Sequence, residues 1–255
     1  MPAEPSAAGA IAGRLRFPRL SRPAGLLFPG EAGQEHDAVS SKRLRSPRRW
    51  SGGHSDGQMV TRAELVSRLE RAFLDHGYEQ LTMTGLATAI DVTRRTLYNY
   101  FSGKEDAFRF LIENANAQAV EAGMAAGRAA LAEGNDAVEI LATVLDTRYG
   151  NNRRRLATSP HAVEINDQAF RRCRDLMVAS AVDFQSELAG FIAELEAANL
   201  LRVRASCSPE KLAQLLADGA RGTNQSLPPI APDMLHQRYR SMVHALLHGT
   251  VDSTA

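Results

Sequence analysis

The chain has 255 residues, 44% of them apolar and 23% charged, which is enough apolar material for one or two globular units and excludes a fibrous or wholly disordered protein. Its 30 Lys and Arg residues nearly balance 29 Asp and Glu residues, so binding to a polyanion must depend on local clusters of charge. Two cysteines cannot build a disulfide scaffold, and no uninterrupted apolar run reaches the length of about 18 residues that a membrane helix needs. These features predict a soluble, cytoplasmic protein.

The first 58 residues differ in composition from the rest of the chain. They hold six of the 11 prolines and eight of the 19 glycines and lack apolar periodicity, which predicts a disordered, mildly basic N-terminal tail. The basic run from Lys42 to Arg49 has two interpretations, an arm that contacts DNA phosphates or a solvated tail, of which the second is favoured. A third interpretation is that translation starts at Met59, the natural start of the folded part.

From Thr61 onward the apolar residues recur at helical spacing, and no alternating stretch is long enough for a strand, so the sequence predicts an all-α fold. The first helix should end at Gly77, after an apolar stripe of Leu65, Leu69, Ala72 and Phe73. Two short helices follow it in residues 81–104. Later helices are expected at 104–131, 136–149, 162–199, 209–225 and 233–248. Their breaks are predicted at turns such as Gly150-Asn151-Asn152 and Ser208-Pro209.

Residues 81–104, LTMTGLATAIDVTRRTLYNYFSGK, have the pattern of a helix-turn-helix. Thr82 can cap the first of the two helices. The buried face of that helix would consist of Met83, Leu86, Ala87 and Ile90. Asp91 falls in the turn, where the chain needs a left-handed residue that Asp tolerates better than most. Thr93 can then cap the second helix, whose inward side chain is Leu97.

The outer surface of the second short helix carries side chains suited to duplex DNA. Arg94 and Arg95 lie at its N-terminus and can bind guanine O6 and N7 with two hydrogen bonds, while Asn99 can pair with adenine in the same way. Hydroxyl groups nearby would contact phosphates and position the helix, and Lys104 would hold the DNA backbone. The predicted DNA-binding residues are Thr84, Thr93, Arg94, Arg95, Thr96, Tyr98, Asn99, Tyr100 and Lys104.

The net charge of this region does not favour DNA binding, because residues 60–109 hold seven basic and seven acidic side chains. The alternative is an ordinary helical hairpin with a basic exposed surface. The placement of the charges favours DNA binding, because Arg94, Arg95 and Lys104 share the proposed docking side. The acidic residues lie mainly on the first helix and its exit.

The segment from the first helix to Phe108 resembles the DNA-binding domain of the tetracycline-repressor (TetR/AcrR) family of bacterial regulators. The positions on the family's pattern are Gly77-Tyr78, Thr82, Leu86-Ala87, Thr96-Leu97-Tyr98, Tyr100-Phe101 and Lys104-Glu105. Two residues depart from it: Asp91 stands where the family usually has Gly, and Gly85 where it usually has an acidic capping residue. Each departure should lower the stability of the domain by about 0.5 to 1 kcal/mol, and neither changes a side chain that is proposed to contact bases.

The resemblance also implies the layout of the chain. A three-helix DNA-binding domain at 59–108 would precede a helical effector-binding and dimerisation domain at 109–255. In such proteins the last two long helices pair with those of a second protomer. The apolar residues that would form this dimer interface are Leu212, Leu215, Leu216, Met242, Val243 and Leu246. The same stripes could equally be the core of one protomer.

A pocket for a small-molecule effector is expected among the helices between residues 104 and 200, where polar and apolar side chains mix. Its predicted lining is Tyr149, His161, Glu164, Asn166, Phe170 and Met177. His161, Glu164 and Asp167 also have helical metal-ligand spacing, but such runs are more often solvated faces, so no metal is predicted. The run Arg153–Arg155 is either an anion clamp or, as favoured, an exposed loop.

These patterns predict a DNA-binding transcriptional regulator associated with the nucleoid. By the resemblance it is a repressor that binds a pseudo-palindromic operator as a homodimer and is released by a small-molecule effector. Motifs of common enzyme mechanisms, such as a Gly-rich phosphate loop or HExxH, are missing from the sequence, so no enzyme, catalytic residue or cofactor is predicted. The alternative is a ligand-independent helix-turn-helix module with an architectural or protein-interaction role.

Overall fold

The structure is a computed structural model that describes residues 61–248; the predicted tail at 1–58 lies outside this range. Within it the chain forms helices and no strand, which confirms the all-α prediction. The ten α-helices are α1 Arg62–His76, α2 Met83–Ala89, α3 Arg94–Tyr100, α4 Lys104–Ala132, α5 Ala137–Leu145, α6 Asn151–Leu156, α7 Ala162–Arg172, α8 Arg174–Ala197, α9 Pro209–Asn224 and α10 Leu235–His248. A π-helical turn, Asp146–Gly150, joins α5 to α6, and a 3₁₀ turn, Pro232–Met234, leads into α10.

The helices begin at the capping residues that the sequence indicates. The Thr82 hydroxyl accepts a hydrogen bond from the Gly85 N–H at 3.1 Å, and the Thr93 hydroxyl accepts one from the Thr96 N–H at 3.1 Å. Ser208 caps α9 in the same way. Each bond satisfies one of the N–H groups that the first turn of a helix leaves without a partner, which fixes where α2, α3 and α9 start.

One predicted break is not present. The sequence predicted a turn at Gly150-Asn151-Asn152, but the chain continues in helical form through the π turn into α6. The run Arg153–Arg155 is therefore helical, and the favoured interpretation as an exposed loop is wrong. Arg154 pairs with Asp146 at 2.7 Å, and the next arginine pairs with Glu70 at 3.0 Å. Arg153 donates hydrogen bonds to the carbonyl groups of Asn224 and Ile230, so each of the three arginines has a partner outside α6, which a local pattern of Gly and Asn could not indicate.

A second difference is a break within the predicted helix 162–199. The chain bends at Cys173, which separates α7 from α8. The Cys173 side chain is fully buried, and this burial raises the pKa of its thiol to about 11. The bend also leaves the carbonyl group of Arg172 open to a hydrogen bond from the Arg109 guanidinium. Packing against another part of the chain, rather than a helix-breaking residue, therefore ends α7.

The described helices bury two apolar clusters. The first is formed by α1, α2, α3 and the start of α4, together with Ile165, Ala169 and Cys173 from α7 and its end. The second is formed by the later part of α4 with α5, α8, α9 and α10. The long helix α4 contributes to both clusters, and α7 packs into the first, so the N-terminal helices are joined to the rest of the fold through α4 and α7.

Among the described helices, α8 is the one that is long and apolar enough to cross a membrane by length and composition. Core helices of globular proteins pass the same test, so this is a weak indication of a membrane. Phe184, Leu188, Phe191 and Ile192 of α8 are fully buried in the second cluster.

Candidate functional site

The connection between α2 and α3 has the geometry of a helix-turn-helix. Asp91 adopts a left-handed conformation with φ +57°, as the sequence predicted. The Val92 N–H donates to the Ala87 carbonyl at 3.0 Å and closes the end of α2. Leu86 and Leu97 are at most 1% exposed and hold the two helices on the first cluster. The outer side of α3 is therefore presented on a fixed backbone.

Four of the predicted DNA-binding side chains lie together on the exposed face of α3. Arg94, Arg95, Tyr98 and Asn99 are all exposed. Positions one turn apart on a helix share a face, which brings the two arginines onto the same side as the tyrosine and the asparagine. The Arg94 guanidinium lies 5.5 Å from the centre of the Tyr98 ring. This surface, Arg94, Arg95, Tyr98 and Asn99, is called the α3 face below.

The predicted hydroxyl contacts border the α3 face. The hydroxyl groups of Thr93 and Thr96 are 2.7 Å apart and share a hydrogen bond, so both take part in capping α3. Thr84 is exposed on the first turn of α2. Tyr100 is half-buried, and burial raises the pKa of its phenol.

Lys104 has structural partners that the sequence did not reveal. Its Nζ donates hydrogen bonds to the carbonyl groups of Tyr78 at 2.7 Å and Glu79 at 3.3 Å, and lies 4.3 Å from the centre of the Tyr78 ring. Burial lowers the pKa of this ammonium group. Lys104 therefore ties the start of α4 to the loop that follows α1. A phosphate contact by the same side chain stays a prediction.

Hydrogen bonds join the end of α1 and its following loop to α7. Glu164 Oε1 accepts a bond from the Glu79 N–H at 2.6 Å, and Gln168 Nε2 donates to Glu79 Oε1 at 2.7 Å. The Ser159 hydroxyl donates to the Leu74 carbonyl at 2.5 Å. These partners are 85 or more residues apart in the chain, so sequence spacing gave no signal for them.

Two ion pairs join α4 to the bend between α7 and α8. Arg172 lies 2.6 Å from Glu105, and Arg109 binds Asp175 through both of its terminal nitrogens, at 2.9 and 2.5 Å. The hydrogen bonds from Arg109 hold the pKa of the Asp175 carboxyl below its usual range. α1, its following loop and α4 are thus connected to α7 and the start of α8 by polar contacts as well as by the first apolar cluster.

Comparison with known proteins gives a match for the N-terminal helices. Residues 65–109, which run from α1 to the start of α4 and include the α3 face, match the family described as "Bacterial regulatory proteins, tetR family". Residues 65–109 therefore form a tetR-family domain. Comparison with curated protein sequences finds none that matches.

Solved structures resemble a much larger part of the chain. FadR from Bacillus subtilis in complex with stearoyl-CoA has a TM-score of 0.54 at 18% identity, over 75% of this chain and 100% of that one. FadR from Thermus thermophilus with lauroyl-CoA has a TM-score of 0.51 at 20% identity, over 76% and 97%. A TetR/AcrR-family regulator from Thermobifida fusca has a TM-score of 0.51 at 18% identity, over 75% and 98%. At these identities the likeness establishes the fold: a tetR-type helix-turn-helix followed by a helical domain.

The structure does not bring the six residues predicted for the effector pocket together. Asn166 and Met177 line a cavity behind the tetR-family domain. Of the other four, Tyr149 packs against the second apolar cluster, and Phe170 is exposed on the surface. His161 and Glu164 lie beside Gly77, at the end of α1. Within residues 61–248 no group of three or more His, Cys, Asp and Glu side chains is arranged to hold a metal ion.

The six residues predicted for the dimer interface differ in their exposure. Leu212, Leu216 and Val243 are buried in the second cluster of their own protomer, so these three belong to the core and not to a surface. Leu215 on α9 and Leu246 on α10 are 39% and 38% exposed. The sixth residue, Met242, is half-buried and packs against the second cluster.

The cavity behind the tetR-family domain has a volume of about 110 Å³. Its walls come from α1, α4, α6, α7, α8 and the π-helical turn, and most of them are apolar, with Phe73, Leu111 and Ile165 as examples. Because Phe73 also belongs to the core of the tetR-family domain, any molecule in this cavity would touch that domain directly.

Two polar side chains in the cavity wall have nitrogen atoms without a hydrogen-bond partner among the described residues, Arg148 Nε and Asn116 Nδ2. Arg148 is only 8% exposed, and its Nη2 donates to the Ser180 hydroxyl at 3.0 Å. Its guanidinium also lies over the rings of Tyr149 and Phe184, at 5.0 and 5.7 Å. Burial lowers the pKa of Arg148, but an arginine remains charged at physiological pH.

Proposed function

We propose that the protein is a transcriptional repressor that binds a pseudo-palindromic DNA operator as a homodimer and is released by a small-molecule effector. The observation that carries this proposal is the α3 face, an exposed group of side chains on the second helix of a helix-turn-helix that are suited to contacts with DNA. One recognition helix reads only a few base pairs, and a two-fold pair placed about 34 Å apart reads two half-sites. Such a protein acts on the nucleoid in the cytoplasm.

The proposed roles on DNA divide into reading and positioning. Arg94 and Arg95 would bind guanine edges in the major groove, and Asn99 would bind adenine. The positioning contacts to phosphates would come from Thr84, Thr93, Thr96, Tyr98, Tyr100 and Lys104. The exposed position of Arg94, Arg95 and Asn99 on α3 supports the first group.

We infer that residues 59–108 form the DNA-binding domain and that residues 109–255, which follow it, bind the effector and form the dimer. Leu215 and Leu246 are apolar side chains left exposed by the protomer on α9 and α10, and they would lie in the dimer interface. Apolar side chains at the centre of an interface are typical of homodimers.

The route from effector to DNA would run through α7. This helix borders the cavity with Ile165, Asn166 and Ala169, and it is hydrogen-bonded to the loop after α1 through Glu164 and Gln168. A ligand that favours a different position of α7 would move the two recognition helices of the dimer relative to each other. Because these helices must fit successive major grooves, a small change in their spacing lowers the affinity for DNA.

The proposal is tested by mixing the full-length protein with sheared DNA from its own host at about 150 mM salt, recovering the bound fragments and sequencing them. We expect enrichment of a few sites that contain a two-fold symmetric element. The doubly substituted variant Arg95→Ala/Asn99→Ala, which removes two exposed side chains, should give no enrichment. Equal recovery of all fragments by the wild-type protein would contradict the proposal.

A further inference from the structure

Arg148 is a buried cation that has no anionic partner among residues 61–248. None of the ion pairs in this range includes it, and its one hydrogen bond there is to a neutral hydroxyl group. Burial lowers the pKa of its guanidinium, and the positive charge of Arg221 lowers it further. Taking a guanidinium out of water is unfavourable unless an opposite charge compensates it, so a buried arginine of this kind indicates a missing partner.

The surroundings of Arg148 show where that partner would lie. Arg148 and Asn116 both line this cavity, and each has a nitrogen without a hydrogen-bond acceptor among the described residues. Glu70 is the acidic residue among those that line the cavity, and it is already paired with Arg155 at 3.0 Å. Arg148 also lies in the π-helical turn, and π-helical turns inside α-helices occur frequently at functional sites.

We propose that this cavity binds a small apolar carboxylate, with the carboxylate group held by Arg148 and Asn116 and the hydrocarbon part held against the apolar walls. The inference rests on the proposed effector function and adds the chemical class of the effector. Guanidinium and amide groups are both donors, and a carboxylate is an acceptor only, so the two sides match. The walls of α1, α4 and α7 would exclude water from the hydrocarbon part.

The cavity volume limits the size of the ligand. An apolar protein cavity of roughly 150 Å³ takes up benzene, so a cavity of about 110 Å³ suits a carboxylate that is smaller than benzene, with a short straight or branched chain. Propionate, butyrate and isobutyrate are therefore suitable probes, and propionamide, butyramide and isobutyramide are their neutral counterparts of nearly the same shape. A buried water cluster is the competing occupant, since water can also satisfy donors in a polar cavity.

The test measures the binding of these six compounds to the full-length protein by titration calorimetry. We expect at least one carboxylate to bind about tenfold or more tightly than its amide. In Arg148→Met that preference should disappear, while binding of the amide stays within about twofold. Methionine fills similar space without a charge, and replacing an uncompensated buried charge by an apolar side chain tends to maintain or raise stability, so the variant should stay folded.

Arg128→Met is the matched control, because Arg128 lies on α4 with its side chain 54% exposed and is paired with Glu194. It should bind the carboxylate as the wild-type protein does. No difference between any acid and its amide, or an unchanged preference in Arg148→Met, would overturn the inference and leave water as the occupant.

The outcome is independent of the proposed regulation, because calorimetry needs no DNA. Operator binding without carboxylate binding would refute this inference alone. Carboxylate binding by a protein that selects no DNA sequence would refute the proposed function instead.

Discussion

At the scale of single residues, Arg95 and Asn99 are predicted to read bases. Replacing either by alanine should lower the affinity for the operator by about 1 to 3 kcal/mol, and the loss should be confined to one base-pair position, where specificity relaxes. The measurement is a set of binding isotherms on operators that carry every single base-pair change. If the alanine variants lost affinity to the same extent on all operators without any change in preference, these residues would be phosphate contacts.

Lys104 is predicted to contribute to both stability and DNA binding. Lys104→Ala removes its bonds to the Tyr78 and Glu79 carbonyl groups, so the free energy of unfolding should fall by about 1 to 2 kcal/mol. A lost phosphate contact should also weaken DNA binding uniformly and reduce the salt slope by about one. Denaturant unfolding and binding at several salt concentrations separate the two effects. Arg95→Ala, at an exposed position, is the control for stability.

The two cysteines should differ in reactivity. Burial raises the pKa of Cys173 to about 11, so at about pH 8 only about one Cys173 in a thousand would be a thiolate, and the side chain is enclosed. We expect iodoacetamide to alkylate the native protein once, at the partly exposed Cys207, and to alkylate both cysteines after denaturation. Peptide mass spectrometry locates the label. Rapid labelling of Cys173 in the native protein would contradict its placement between α7 and α8.

At the scale of elements, the turn between α2 and α3 gives a direct test of backbone geometry. Asp91 has φ +57°, a conformation that glycine adopts without steric strain. Asp91→Gly should therefore raise the free energy of unfolding by about 0.5 to 1 kcal/mol and leave DNA specificity unchanged. Asp91→Val should lower stability, because a β-branched residue is strained at positive φ. Thermal unfolding of both variants checks the prediction, and a less stable Asp91→Gly would contradict it.

The elements also show what the sequence alone could predict. The starts of α2 and α3 were predictable because the hydroxyl groups of Thr82 and Thr93 accept local hydrogen bonds from the first turn of each helix. The continuation of α5 through the π turn was not, since the following arginines bind partners that a local pattern does not reveal, among them Glu70 on α1. The break at Cys173 escaped prediction for the same reason: packing into the first cluster produces it, not a local breaker.

In the candidate site, the part that lies on one helix could be predicted from the sequence, and the part that several helices build together could not. The α3 face could be predicted because its residues lie on a single helix of known period. The cavity could not, because six segments far apart in the chain form its walls. Of the six residues predicted for the pocket, Asn166 and Met177 line the cavity. Arg148 was not predicted, because nothing in the sequence around a single arginine within a helix indicates that its side chain is buried.

At the scale of the whole molecule, the exposed leucines of α9 and α10 predict which surface forms the dimer. Leu215→Glu/Leu246→Glu should give a folded monomer that has lost operator binding, because both side chains are exposed in the protomer and charges there would repel a second copy. Val178→Glu is the control on α8, at a position 55% exposed. Sedimentation measures the oligomeric state and circular dichroism the fold. A dimer that persists in the double variant and dissociates in Val178→Glu would place the interface on α8.

The proposed function depends on the reading of a DNA sequence by two copies of the α3 face. Selection from random duplex DNA by the purified full-length protein at about 150 mM salt, followed by sequencing, measures this property. We expect enrichment of a two-fold symmetric motif whose half-site centres are about 10 base pairs, or a multiple of one helical turn, apart. If the folded, dimeric protein free of bound small molecules enriched no sequence, the helix-turn-helix would not be a DNA-reading element and the proposed function would be wrong.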